Sequence, residues 1–230
     1  MAIRSVRLPD GTDVVIDEWL DWPQYSTVEF AAGAQLNKFQ AYTYLVGQRV
    51  PQIGALTVRN ATVADTNQVV RARMNQDESF LIYSLTYDIF GLSDSVIEAA
   101  SPTPLTVAAV PALSGLNIRK LQRDLIVEIL VGAGITKPSL RYPLSWIGQG
   151  PGVKPYGSFG TPESPAIFSV GSASCYGPAP QSQRTLALPI YVHNDRRFVL
   201  QMTSYPGALD TDQDVRIRWH ITGLKRRPVA

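Results

Sequence analysis

Apolar and polar residues alternate along much of this chain. Alternation at period two is the signature of a strand with one buried and one wet face. Residues 79–90, SFLIYSLTYDIF, set Leu81, Tyr83, Leu85, Tyr87 and Ile89 against Phe80, Ile82, Ser84, Thr86 and Asp88. Residues 214–222 set Val215, Ile217, Trp219 and Ile221 against Arg216, Arg218, His220 and Thr222. Both stretches predict strands. LNKFQAYTYLVGQRV from residue 36 predicts a long one, with Phe39, Ala41, Thr43 and Leu45 on one face. NQVVRARM at 67–74 predicts an edge strand, since Arg71 and Arg73 on one face discourage further pairing. TLALPIYV and RFVLQMTSY flank the polar HNDR and predict a hairpin.

Other segments break the alternation. IRSVRLPDGTDVVID at 3–17 carries turn residues Pro9, Asp10 and Gly11 between two apolar runs, which predicts a hairpin. Trp19, Leu20 and Trp22 follow and predict one helical turn stopped by Pro23. Residues 101–115 hold three prolines and few charges, as a connection does. LNIRKLQRDLIVEILVG predicts a short helix to about Gln122 and then a β-branched strand ending at Gly132. The glycine- and proline-rich stretch from 148 to 165 has too few apolar residues to pack by itself.

About eight main strands thus run from residue 36 onward, with helix nearly absent. This pattern predicts an all-β antiparallel sandwich, jelly-roll-like, over 36–230, preceded by an N-terminal hairpin arm over 1–35. The alternative is two small tandem sandwiches on either side of 101–115.

Composition narrows the function. Charged residues make up 17% of the 230 residues and apolar ones 45%, with a formal net charge of +2. The charged share is low against a typical value of roughly 25%, so much of the surface is expected to be covered by something else. The single cysteine, Cys175, excludes both an intramolecular disulfide and a cysteine zinc cluster. MAIRSVRLPDG lacks the apolar core of a signal peptide, and no stretch approaches 18 apolar residues, so no membrane span is expected.

Catalytic patterns are sparse. The two histidines, His193 and His220, lack zinc spacing. GAGITK at 132–137 lacks phosphate-loop spacing, and GQGPG at 148–152 has no βαβ unit around it. Asp210, Asp212 and Asp214 resemble part of a calcium loop, but Val215 and Ile221 stand where Gly and Glu would be needed. The expectation is no enzyme, no metal and no cofactor.

The basic end is the remaining candidate site. Arg216, Arg218, Lys225, Arg226 and Arg227 place five positive charges in the last 15 residues. An acidic run, Asp10, Asp13, Asp17, Glu18 and Asp21, lies at the other end beside Arg4 and Arg7. Head-to-tail contact between copies would pair the two ends. Subunit contact or solvent is favoured over nucleic acid, which would be a minor partner. Trp19 and Trp22 are candidate anchors on a neighbour, because aromatics are enriched at interfaces.

Four stretches, KFQAYTYLVGQRVP, ESFLIYSLTYDIFG, LALPIYVHNDRRFVLQM and DVRIRWHITGLKRRPV, resemble the jelly-roll virion structural proteins of bacteriophages, including those of tailless icosahedral phages. The resemblance covers 36–230 and is one of pattern. It implies a capsid or minor capsid subunit, assembled in the host cytoplasm, whose partners are copies of itself and other virion proteins. It carries over no catalytic residue. Jelly rolls also serve as sugar-binding modules, so a carbohydrate- or receptor-binding module is the second expectation.

Overall fold

The computed structural model describes residues 5–7, 13–15, 19–74, 78–91, 115–132, 138–149, 184–194, 196–205, 207–209, 211 and 214–226. Twelve strands are present among them: β1 Ser5–Arg7, β2 Asp13–Val15, β3 Trp19–Phe30, β4 Phe39–Ala41, β5 Gln52–Ile53, β6 Ser79–Gly91, β7 Leu125–Val131, β8 Leu140–Pro143, β9 Gly148–Gln149, β10 Arg184–Val192, β11 Phe198–Ser204 and β12 Val215–Arg226. One helix, α1, spans Gly115–Asp124.

The strands build two packed sheets. The larger runs β10-β6-β12-β3-β5, with β9 also on β6; the smaller runs β4-β11-β7-β8. Setting aside the two-residue strands β5 and β9 and the separate β1–β2 hairpin leaves eight strands. Numbered in order, the first pairs with the eighth (β3–β12) and the second with the seventh (β4–β11). The third pairs with the sixth (β6–β10) and the fourth with the fifth (β7–β8). All four pairings are antiparallel and nested. A long hairpin rolled on itself gives this order, which is the jelly roll. Pairs such as β6–β12 and β4–β11 join strands from both sides of 101–115, so there is one sandwich and not two in tandem.

Alternation decides what each strand buries. In β12, Val215, Ile217, Trp219 and Ile221 are fully buried, while Arg216, Arg218, His220 and Thr222 are half-buried on the outer face. Facing them across the core are Leu125, Val127 and Ile129 of β7 and Phe198, Leu200 and Met202 of β11. Each large apolar side chain so placed contributes roughly 1.5–3 kcal/mol over leaving it in water. α1 closes one end: Leu121 is buried, and the Gln122 amide donates to the Tyr87 hydroxyl at 2.8 Å.

Several sequence expectations need correction. Residues 19–30 are not part of an arm and contain no helical turn. They form β3, which pairs along its whole length with β12. Pro23 is tolerated because its φ suits a strand, and its own carbonyl still accepts from the Asn67 side-chain amide. The predicted long strand from 36 stops at Ala41. Tyr42 takes a left-handed φ of 63°, and 43–51 is irregular. Residues 67–74 form turns, with Arg73 in an isolated bridge to Arg197. The β10–β11 hairpin does not form: β10 pairs with β6, and β11 with β4 and β7, so the chain changes sheet between them. β12 lies inside the larger sheet, between β3 and β6. The β1–β2 hairpin, the strand at 79–90, the helix-to-strand change near 124 and the closing strand agree with the sequence. Of the connection at 101–115 all but Gly115, and of the glycine- and proline-rich stretch at 148–165 all but Gly148 and Gln149, lie outside the described residues.

Candidate functional site

Arg216 and Arg218 of β12 lie on the outer face of the larger sheet, and the fold uses most of the strand's basic residues internally. Arg216 stands directly opposite Glu29 in the β3–β12 register. Its Nε donates to Glu29 Oε1 at 2.9 Å, and the Glu29 side chain is only 1% exposed. Arg59 reaches the same carboxylate: its Nη2 lies 2.7 Å from Glu29 Oε1 and 2.7 Å from Asp65 Oδ1. Its Nη1 donates to Asp65 Oδ2 at 2.8 Å. Gln52 donates to Glu29 Oε2, and the Thr62 amide and hydroxyl donate to Asp65 Oδ2. Two carboxylates and two guanidiniums thus form one hydrogen-bonded network.

The network's titration follows from these contacts. Burial pushes the Asp65 carboxyl up, but hydrogen bonds from Arg59 and Thr62 outweigh it and hold the pKa at about 2. Hydrogen bonds to Asp65, and then to Glu29, raise the Arg59 guanidinium above its ordinary value against the cost of burial. The chain from 50 to 66 is held along β3 by the same arrangement. The amides of Thr27, Glu29 and Ala31 donate to the carbonyls of Asp65, Pro51 and Ile53. This pairing covers the outer edge of β3, which would otherwise offer free backbone groups to another chain.

Lys225, by contrast, is directed inward. It is 4% exposed, its Nζ lies 2.8 Å from Glu78 Oε2, and it sits 4.9 Å from the centre of the Trp22 ring. A cavity for a water-sized molecule adjoins it, lined by Gln24, Gln68, Arg73, Met74, Glu78 and Lys225. Arg218 is half-buried, with Nε 3.4 Å from the Thr27 hydroxyl, and Arg226 is exposed. Trp19 lies opposite Arg226 in the register, and Trp22 opposite Gly223. Arg227 lies outside the described residues. His220 Nε2 is 2.8 Å from Asp88 Oδ2 on the outer face.

The predicted site residues therefore share one strand pair but not one role. Arg216 and Lys225 each hold a buried carboxylate or ion pair of their own chain. Of the acidic run, Asp21 lies on β3 opposite Leu224 of β12, and Leu20 is opposite Lys225; Asp10, Asp17 and Glu18 lie outside the described residues. Sequence reading missed Glu29, Arg59 and Asp65. No local signal marks them, because alternation sets Glu29 on the face opposite Val28 and Phe30, and the 50–66 segment that covers it is distant in sequence.

The smaller sheet carries a polar row across its outer face. Gln40, Gln201, Glu128 and Arg141 are successive register partners on β4, β11, β7 and β8. Gln40 donates to Gln201 at 3.3 Å, Gln201 donates to Glu128 at 2.9 Å, and Arg141 lies 3.3 Å from Glu128. Just after β8, Trp146 is 59% exposed and stacks on Tyr142, a residue that itself packs against the core, with ring centres 6.0 Å apart.

Among the described residues, no group of three or more His, Cys, Asp or Glu side chains could hold a metal ion, and no helix is long and apolar enough to cross a membrane. No protein-family model, no curated protein and no solved structure matches the chain.

Proposed function

We propose that this protein is a non-enzymatic structural subunit of a bacteriophage particle, assembling with copies of itself and other virion proteins. The observation that carries this reading is the nested strand order of the larger and smaller sheets, the jelly-roll arrangement found in viral capsid domains. The low share of charge supports it, since surface buried against neighbours needs fewer charges. The ionic network supports it too: it ties the 50–66 segment to β3 and keeps a rigid face for assembly. Sedimentation of the full chain over a hundredfold concentration range, with electron microscopy, tests the reading. Concentration-dependent assembly into closed rings or shells is expected. A monomer at every concentration sinks it.

A second reading, a carbohydrate-binding module, is favoured by one observation, the exposed Trp146 ring backed by Tyr142. Sugars stack on such surfaces through their apolar faces. Glycan-array binding lost in Trp146→Ala would support it, and binding unchanged by that substitution would remove it.

A further inference from the structure

The sandwich is polar inside at the end where β3 begins and β12 finishes. Gln24 of β3 stands opposite the buried Ile221 of β12, and opposed residues share a face, so alternation turns Gln24 inward. Gln68 reaches the same place from the turns at 67–74. Both glutamines are only 5% exposed. With Lys225, Glu78, Arg73 and Met74 they line one cavity that has room for a single water-sized molecule.

Donors and acceptors around this cavity do not balance within the chain. Gln24 Oε1 and Gln68 Oε1 are both shut away from bulk solvent, and neither accepts a hydrogen bond from the protein. Buried amide oxygens are rarely left so, because they have given up water and gained nothing for it. The Gln68 amide is held in place by its other end: Nε2 donates to the Arg73 carbonyl at 3.3 Å, which leaves Oε1 as the unmatched atom. Lys225 has the complementary surplus. An ammonium carries three donors. One meets Glu78 Oε2 at 2.8 Å, and the ring of Trp22 lies 4.9 Å from Nζ. A donor is left for the cavity, yet neither glutamine oxygen is close enough to take it directly.

We propose that the cavity is a binding site for one water molecule, which accepts from the Lys225 ammonium and donates to Gln24 Oε1 and Gln68 Oε1. A water has two donors for the two unmatched oxygens and a lone pair for the ammonium, and buried waters typically make about three such bonds. A metal cation suits the site less well, because Lys225 and Arg73 line it against the one carboxylate of Glu78. An anion would be repelled by the same two carbonyl oxygens. The water joins β3, the 67–74 turns and β12, three segments distant in sequence. It also completes the surroundings of a lysine that is 4% exposed: a carboxylate, an aromatic face and a water. The site does not depend on the virion reading.

The test has two arms, both on the full chain. In a high-resolution crystal structure, one density peak is expected roughly 2.7–3.2 Å from Lys225 Nζ, Gln24 Oε1 and Gln68 Oε1. In solution, magnetic relaxation dispersion of the solvent counts long-lived internal waters. Gln24→Met and Gln68→Met, which keep the length of the side chain and remove the acceptor, should each lower that count by one. Gln40→Met, on the smaller sheet, should leave it unchanged. Melting curves check that the variants fold, and the native crystal structure carries the test if they do not. A cavity without density overturns the proposal, as does a glutamine oxygen bonded directly to Lys225. So does a count unchanged in either cavity variant, or one that falls equally in Gln40→Met. An anomalous signal at the peak would make the ligand a metal ion and would also overturn it.

Discussion

Arg216 Nε donates a 2.9 Å hydrogen bond to Glu29 Oε1, a residue 187 positions earlier in the chain. The pair joins the first long strand of the sandwich to the last. Glu29 is out of water, so the charge is tolerated only because Arg216 and Arg59 both reach it. Removing the carboxylate leaves two half-buried guanidiniums facing each other. Glu29→Ala is therefore expected to cost about 3 kcal/mol in urea unfolding. A loss below about 1 kcal/mol would mean that the network adds little to the fold.

Acid should weaken the same network. The Asp65 pKa is about 2 in the folded chain against an ordinary 3.8, so the folded state favours the ionised form. A depressed carboxyl pKa contributes stability above the unfolded value and loses it as pH falls towards the folded value. The melting-temperature gap between the native chain and Asp65→Asn should be full near neutrality. It should shrink as pH falls from about 4 to about 2. A gap that stays constant over this window would contradict the assignment.

Lys225 and Glu78 make a separable pair. Lys225→Met alone leaves a carboxylate, 18% exposed, without its ammonium. That change should destabilise the chain by about 2 kcal/mol or more. Adding Glu78→Gln should recover most of the loss, because the unpaired charge is then gone and the methionine packs against Trp22. Thermal unfolding of the two single variants and the double one measures the coupling. Additive losses would show that the two groups act independently.

Gly223 is needed by packing, not by its φ. A Cβ added there would lie 2.1 Å from the Leu81 carbonyl oxygen. The register between β12 and β6 shifts between Thr222 and Gly223, which brings the β6 backbone in close. Gly223→Ala should cost at least about 2 kcal/mol, read by chemical denaturation, since a backbone atom cannot swing away as a side chain can. A neutral substitution would show that the irregularity relaxes freely.

Period two made the long strands legible, because residues such as Val215, Ile217 and Trp219 must share a face to be buried together. The class of sandwich followed from their number. Other features depend on contacts distant in sequence. Trp19 and Trp22 read as an arm because Pro23 follows them, yet β12 supplies a full-length partner that overrides the local signal. TLALPIYV and RFVLQMTSY read as a hairpin because four polar residues join them, but their apolar faces belong to different sheets. The same limit applied to the site. The basic alternation of β12 was plain in the sequence, whereas the carboxylates that meet it sit on β3 and in the loops before β6. The polar cavity gathers Gln24, Gln68 and Lys225 from three distant segments, and no local pattern announces it.

The strand that ends the described fold is also the middle of its larger sheet. β3 and β6 are made early, but each meets its main partner only when β12 has been synthesised. Until then two long strands present unpaired backbone to whatever is nearby, including other nascent copies. Closure of the larger sheet thus waits until β12 has been made, and contacts so distant in sequence form slowly. A chain cut short before residue 215 would not be a slightly smaller version of this protein. It would be two open edges with nothing between them.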